Sequence, residues 1–198
     1  MSISLKKGGS ISLSKESGLS KVFMGLGWDA AKPAKPAGFL GRLVGGGGQP
    51  ADIDLDASVI VFDADGRVLD TVWFRQLKSK DGSINHSGDN RTGDGDGDDE
   101  TISVDLGRLP SAAETLIFTV NSFTGQNFNE VDNAVCRLVD TRGNEELCQF
   151  VLAEKGAHTG VIMASLSRKS GDWKMTAIGE VMNGRTVTDM AAEAVRFL

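Results

Sequence analysis

No tyrosine occurs among the 198 residues, and there are only two histidines, two cysteines and four prolines. Each shortage removes a class of chemistry. His86 and His158 are too few for histidine-based nucleophilic catalysis or for a zinc centre, both of which draw on imidazole or thiolate groups. Cys136 and Cys148 cannot build a disulfide framework and lack the spacing of a thiolate metal site, so both are read as buried free thiols. The chain has no Gly-x-Ser-x-Gly elbow and no phosphate loop, and Gly25-Leu-Gly-Trp28 lacks the third glycine of a dinucleotide fingerprint. No run approaches the ~18–20 apolar residues of a membrane span, and Met1-Ser-Ile-Ser-Leu-Lys-Lys7 leads into no signal core. A cytoplasmic protein, not integral to a membrane, is expected. Basic residues form no stripe suited to nucleic acid.

What the chain does have is acid in one place. The run 86–100 holds six carboxylates and one arginine, so it carries −5 of the net charge of −6. Glycines alternate with aspartates at Gly93-Asp-Gly-Asp-Gly-Asp98, which lets the backbone fold tightly while oxygens converge. Clustered carboxylates raise one another's pKa unless a cation lies among them. Calcium suits such a set, because it takes six to eight oxygen ligands in irregular geometry. Asn90 and Thr92 add neutral oxygens, and Asp52, Asp54 and Asp56 form a second acidic set on one face of an alternating strand. An EF-hand does not fit: counted from Asp94, the sixth position is Asp99 and the twelfth Asp105, where Gly and Glu are required. The enzymatic alternative is a metal-dependent phosphoesterase built on the same carboxylates.

The remainder reads as β-structure. Ile3 and Leu5, Ile11 and Leu13, and Val22, Met24 and Leu26 recur at period two. Gly25 and Gly27 then suggest a sharp turn, with Asp29 at the strand end as a turn residue. Further strands are expected at 52–62, 67–74, 102–106, 115–120, 134–139, 147–152, 161–166 and 173–178, about ten in all. Residues 75–100 show no hydrophobic period and are expected to form one long loop. Asp65-Gly66 and Ser170-Gly171 mark hairpin turns. Residues 30–50 hold three of the four prolines and the run Gly45–Gly48, and are expected to be a flexible excursion carrying a small apolar knot of Phe39, Leu40, Leu43 and Val44. A terminal helix follows from the spacing of Met190, Ala191, Ala194, Val195 and Leu198, with Thr188 as its N-cap. The fold class expected is all-β: one unit over 1–198, an antiparallel two-sheet β-sandwich with a short C-terminal helix.

Five stretches together resemble a known family: Gly25-Leu-Gly-Trp-Asp29, Asp54-Leu-Asp-Ala-Ser58, the whole of 83–100, Gln126-Asn-Phe128 and Trp173-Lys174. They are similar to the TerD family of tellurium-resistance and stress-response proteins, and the likeness runs from residue 1 to about 180 around the 30–50 insertion. Leu77-Lys78 and Val151-Leu152 depart from the family pattern. The resemblance implies a non-catalytic, calcium-binding β-sandwich. It implies metal ligands at Asp29, Asp54 and Asp56, and within the acidic run at Asp89, Asn90, Thr92, Gly93, Asp94, Asp96, Asp98, Asp99 and Glu100. It also implies partners among other tellurium-resistance-type proteins, at the inner membrane surface.

Overall fold

The computed structural model describes residues 2–13, 18–31, 54–90, 97–153, 155–169 and 171–198. The period-two runs become strands because alternate side chains find a common core. In order they are β1 (Ile3–Leu5), β2 (Ser10–Ser12), β3 (Lys21–Ala30), β4 (Asp56–Phe62), β5 (Val68–Val72), β6 (Ile84–His86), β7 (Glu100–Asp105), β8 (Thr115–Asn121), β9 (Val131–Asp140), β10 (Glu145–Val151), β11 (Gly160–Lys169) and β12 (Asp172–Met182). They make two six-stranded sheets, ordered β1-β10-β9-β3-β7-β6 and β2-β12-β11-β8-β4-β5. Pairing is antiparallel except where β1 joins β10 in parallel, at the edge of the first sheet. The expected sandwich is the fold observed.

Between the sheets, Val22, Met24, Leu26 and Trp28 of β3 meet Ala57, Val59 and Val61 of β4 and Leu116, Phe118 and Val120 of β8. Burying side chains of this size contributes about 1.5–3 kcal/mol each. The opposite faces of β4 and β8 are covered as well. There Ile60, Phe62 and Ile117 pack with Ile162 and Ile178 against Val187, Met190 and Ala194 of the terminal helix α1 (Val187–Ala194). Two covered faces explain why β4 and β8 are buried at every residue.

Several expectations change. Residues 75–100 are not a single loop: β6 interrupts them, and Lys78 bridges Asn85. Twelve strands lie among the described residues; the addition to those expected is β6, a three-residue edge strand too short to show a period. The N-cap of α1 is Thr186 rather than Thr188; its hydroxyl accepts from the Asp189 N–H while the Asp189 carboxylate accepts from the Thr186 N–H, a closed capping box. Gly25 and Gly27 make no turn, since β3 runs through them to Ala30. The hairpin turns are as expected, with Gly66 and Gly171 at positive φ of 79° and 89°. Cys136 and Cys148 are buried free thiols, and burial pushes the Cys148 thiol up to about 12. Asp52, Ile53 and the 32–50 part of the Pro/Gly-rich excursion lie outside the described residues. Among the described residues no helix is long and apolar enough to cross a membrane.

Candidate metal centre

The acidic segments meet at one end of the sandwich, where β4 begins and β7 emerges from the acidic run. Leu55 is fully buried in the inter-sheet core. β4 begins at Asp56, later than the alternation over 52–56 suggests, so strand geometry places Asp56 on the face away from Ala57 while Asp54 lies just before the strand. Asp89 follows three residues after the end of β6. Ligand oxygens of Asp54, Asp56 and Asp89 lie within 4.8 Å of one another, with Asp56 buried, Asp54 half-buried and Asp89 exposed. Burial above all, with the charges of Asp54, Glu100 and Asp89 added, pushes the Asp56 carboxyl up to about 7, and His86 only partly opposes this. Asp56 Oδ2 is buried and accepts no hydrogen bond. A buried carboxylate oxygen left in that state costs about 1–3 kcal/mol or more.

The descending end of the acidic run is held by the protein itself. Asp98 sits on the outer face of β3, where its carboxylate oxygens accept from Arg137 Nε at 2.7 Å and Arg137 Nη2 at 2.8 Å. This two-point fork is a strong, directional ion pair. It raises the guanidinium pKa further, chiefly through the hydrogen bond to Asp98. Arg137 lies directly across from Gly25 in the β3–β9 register. A Cβ at Gly25 would fall 2.2 Å from Asp98 Oδ2, and one at Gly27 would fall 2.7 Å from the Gly97 carbonyl oxygen. These glycines exist to let the acidic segment lie flat on the sheet.

Asp99 Oδ2 accepts from the Trp28 N–H at 2.8 Å and its Oδ1 accepts from Asn90 Nδ2 at 3.1 Å. Burial raises the Asp99 pKa against the pull of the Trp28 N–H, with Asp29, Glu100 and Asp98 adding to the rise. Asp29 is exposed at the end of β3, accepts from Asn133 Nδ2 at 2.7 Å, and falls with Asp99 rather than within the Asp54/Asp56/Asp89 group. Glu100 is fully buried: Oε2 accepts from the Ala57 N–H at 2.7 Å and Oε1 from the Asn90 N–H at 3.0 Å. His86 Nε2 lies 3.3 Å from Glu100 Oε2 and 3.0 Å from the Ala57 carbonyl. Burial works to lower the His86 pKa, but the hydrogen bond and charge of Glu100 outweigh it and leave the group above its usual value.

Of the residues expected to bind metal, Asp54, Asp56 and Asp89 are brought together. Asp29, Asn90, Asp98, Asp99 and Glu100 surround them or anchor the run, and Thr92, Gly93, Asp94 and Asp96 lie outside the described residues. Sequence reasoning missed Arg137 and the inward turn of His86. The second was legible, because Ile84 and His86 share a face, and so do Glu100, Ile102 and Val104. For Arg137 the only hint was the pair of small residues Gly25 and Gly27 within a strand pattern. The donor set at this end is made of carboxylate and amide oxygens, with no thiolate among the described residues, and that chemistry fits a hard divalent cation such as calcium.

A sequence model of the TerD domain matches residues 1–193. Tellurium resistance protein TerZ from Serratia marcescens is 52% identical over 194 residues, covering 98% of this chain and 97% of that protein. Stress response protein SCP2 from Bacillus subtilis is 40% identical over 204 residues, covering 98% of this chain and 100% of that one. A crystal structure of a homologue of telluride resistance protein from Streptomyces coelicolor has the same fold, with a TM-score of 0.68 at 24% identity over 90% of this chain and 98% of that one. The glycine-seated acidic run, the two-sheet body beneath it and a family match spanning nearly all of the sequence agree: this chain belongs to the TerD domain family of tellurium-resistance and stress-response proteins.

Proposed function

We propose that the chain is a non-catalytic calcium-binding stress-response protein, acting in the cytoplasm, whose acidic run is ordered by the metal and then meets a partner. The observation that carries this reading is Asp56: a buried carboxylate, its Oδ2 without a hydrogen bond, facing Asp54 and Asp89. Two like charges beside a desolvated third make the metal-free arrangement unfavourable, and a divalent cation among them adds an attraction to each carboxylate that outweighs the repulsion. Asp54, Asp56 and Asp89 would hold the ion, with Thr92, Gly93, Asp94 and Asp96 available from the adjoining run.

The partner part of the reading rests on the neighbouring surface. Phe123 follows two residues after Asn121, which pairs with Asp56. It is 37% exposed and packs edge-on against Phe74 at 5.7 Å. The Arg75 guanidinium lies 5.2–5.5 Å from the rings of Trp73, Phe74 and Phe123, and Leu77 nearby is 41% exposed. Aromatic and arginine side chains of this kind are enriched where proteins meet. A proteinaceous partner of tellurium-resistance type is the occupant that matches the family names.

Calorimetric titration with calcium tests the reading. Wild-type protein should bind with measurable heat, and Asp56→Asn should weaken binding at least tenfold, while a panel of phosphate esters with manganese, magnesium or calcium should show no turnover. Equal binding by wild type and Asp56→Asn removes the metal assignment, and hydrolysis of any ester removes the non-catalytic one.

A further inference from the structure

Glu100 stands in β7 on the same side as Ile102 and Val104, so its side chain enters the gap between the sheets rather than the solvent. From there it reaches three segments at once. Oε2 takes the N–H of Ala57, the neighbour of Asp56 on β4 in the opposite sheet. Oε1 takes the N–H of Asn90, the neighbour of Asp89. Its third partner is His86 Nε2, which also meets the Ala57 carbonyl. The other ring nitrogen, His86 Nδ1, accepts the Gly88 N–H at 3.0 Å, which turns the chain between β6 and Asp89. Both side chains are fully shielded from solvent.

Resting on the calcium reading above, we infer that Glu100 is a positioning residue and not a ligand. With His86 it forms an inter-sheet brace that fixes Asp56 and Asp89 at the separation a cation needs before any cation arrives, so the ordering proposed above for the metal concerns the rest of the acidic run. The geometry excludes a looser view of Glu100 as one more carboxylate in an acidic loop. Two backbone N–H groups and an imidazole already direct their donors at its oxygens, and all three come from segments that carry or adjoin the acidic trio. A carboxylate that accepts backbone N–H groups on both oxygens is also the one side chain for which no neutral isostere serves, since the amide of Gln would aim a donor at a donor. Preorganisation of this kind strengthens ligand binding by removing the ordering cost from the binding step.

Carboxyl carbon NMR on wild-type protein gives the direct test and needs no variant to fold. On adding calcium, the Asp54, Asp56 and Asp89 carboxyl signals should move while the Glu100 signal stays nearly fixed; a Glu100 shift as large as that of Asp56 overturns the inference. In calcium-free wild type, the Ala57 and Asn90 amides should already be protected from hydrogen exchange. Glu100→Gln and His86→Ala should each speed that exchange and weaken calcium binding about tenfold, and the double variant should be no worse than the weaker single one, because both remove one device. Additive losses, or unprotected Ala57 and Asn90 amides in the calcium-free wild type, refute the brace. If wild type took up no calcium, the proposed function would fall, and amide exchange in the metal-free protein would still decide whether the brace exists.

Discussion

At Gly25 the absence of a side chain is what the acidic run depends on. Asp98 cannot retreat from an intruding methyl, because Arg137 grips both of its oxygens from the paired position on β9. Gly25→Ala should therefore break the fork rather than adjust it. The expected loss is about 1–3 kcal/mol from overpacking, read as a lower midpoint in urea with an unchanged slope. Arg137→Ala should mimic it without any steric insult, and adding Gly25→Ala to that variant should then cost little more. A full second loss in the double variant would show that Gly25 matters for something other than the Asp98 seat. Gly27 obeys the same logic against a backbone oxygen, which has even less room to move. In a one-dimensional reading these glycines look like turn residues, because glycine permits turns and close approach alike. Only the register, which sets Gly25 against Arg137 and Thr101, separates the two meanings.

Elements were legible where packing is one-sided and ambiguous where it is not. The alternation of Val22, Met24 and Leu26 survives in β3 because one face of that strand meets the core and the other meets the acidic run. The same rule, applied at Glu100-Thr-Ile-Ser-Val104 and Ile84-Asn-His86, places Glu100 and His86 inside, yet their charge and polarity argue for solvent. The structure resolves that conflict by pairing the two polar groups with each other and with the Ala57 backbone. At α1 the pattern located the helix but not its start. Thr186 and Thr188 both suit an N-cap, and only Thr186 stands three residues before Asp189 to close the box. Thr186→Ala should cost about 1 kcal/mol, measurable as a lower melting temperature. It should also weaken the restraint that holds the Asp189 carboxyl below its usual range, where the Arg185 N–H contributes first and Thr186 next. The matching loss on replacing Thr188, with Thr186 intact, should be close to nil. Because α1 covers Ile60, Phe62 and Ile117 on the outer face of the second sheet, the variant should loosen that cluster before the inter-sheet core.

For the molecule as a whole, the clustered carboxylates of the acidic pole work against the rest of the fold when nothing neutralises them, and this fixes the sign of the expected pH dependence. The Asp56 carboxyl titrates at about 7 in the folded chain and at 3.8 unfolded. Between those values the folded state holds a proton that the unfolded state has released, so stability falls as pH rises across the window. The raised Asp99 pKa acts in the same direction, and the raised His86 pKa adds a loss above its ordinary 6.5. The lowered groups Asp70, Asp81, Asp140 and Asp189 contribute stability that is complete above 3.8 and disappears only as pH falls below it. They leave pH 5–8 flat. With a chelator present, the melting temperature should therefore decline steadily from pH 5 to pH 8, a loss of a few kcal/mol. On the proposed calcium reading the ion takes the place of the proton, so its stabilising effect should grow over the same interval, reaching about 2.7 kcal/mol when the free ion stands at a hundred times its dissociation constant. Asp56→Asn should flatten the chelator curve and raise metal-free stability at pH 8, even though on the proposed reading it weakens calcium binding. A chelated wild type whose melting temperature rises or stays level from pH 5 to pH 8 would mean that the cluster is relaxed by solvent, and that the electrostatic tension assigned to this pole is not there.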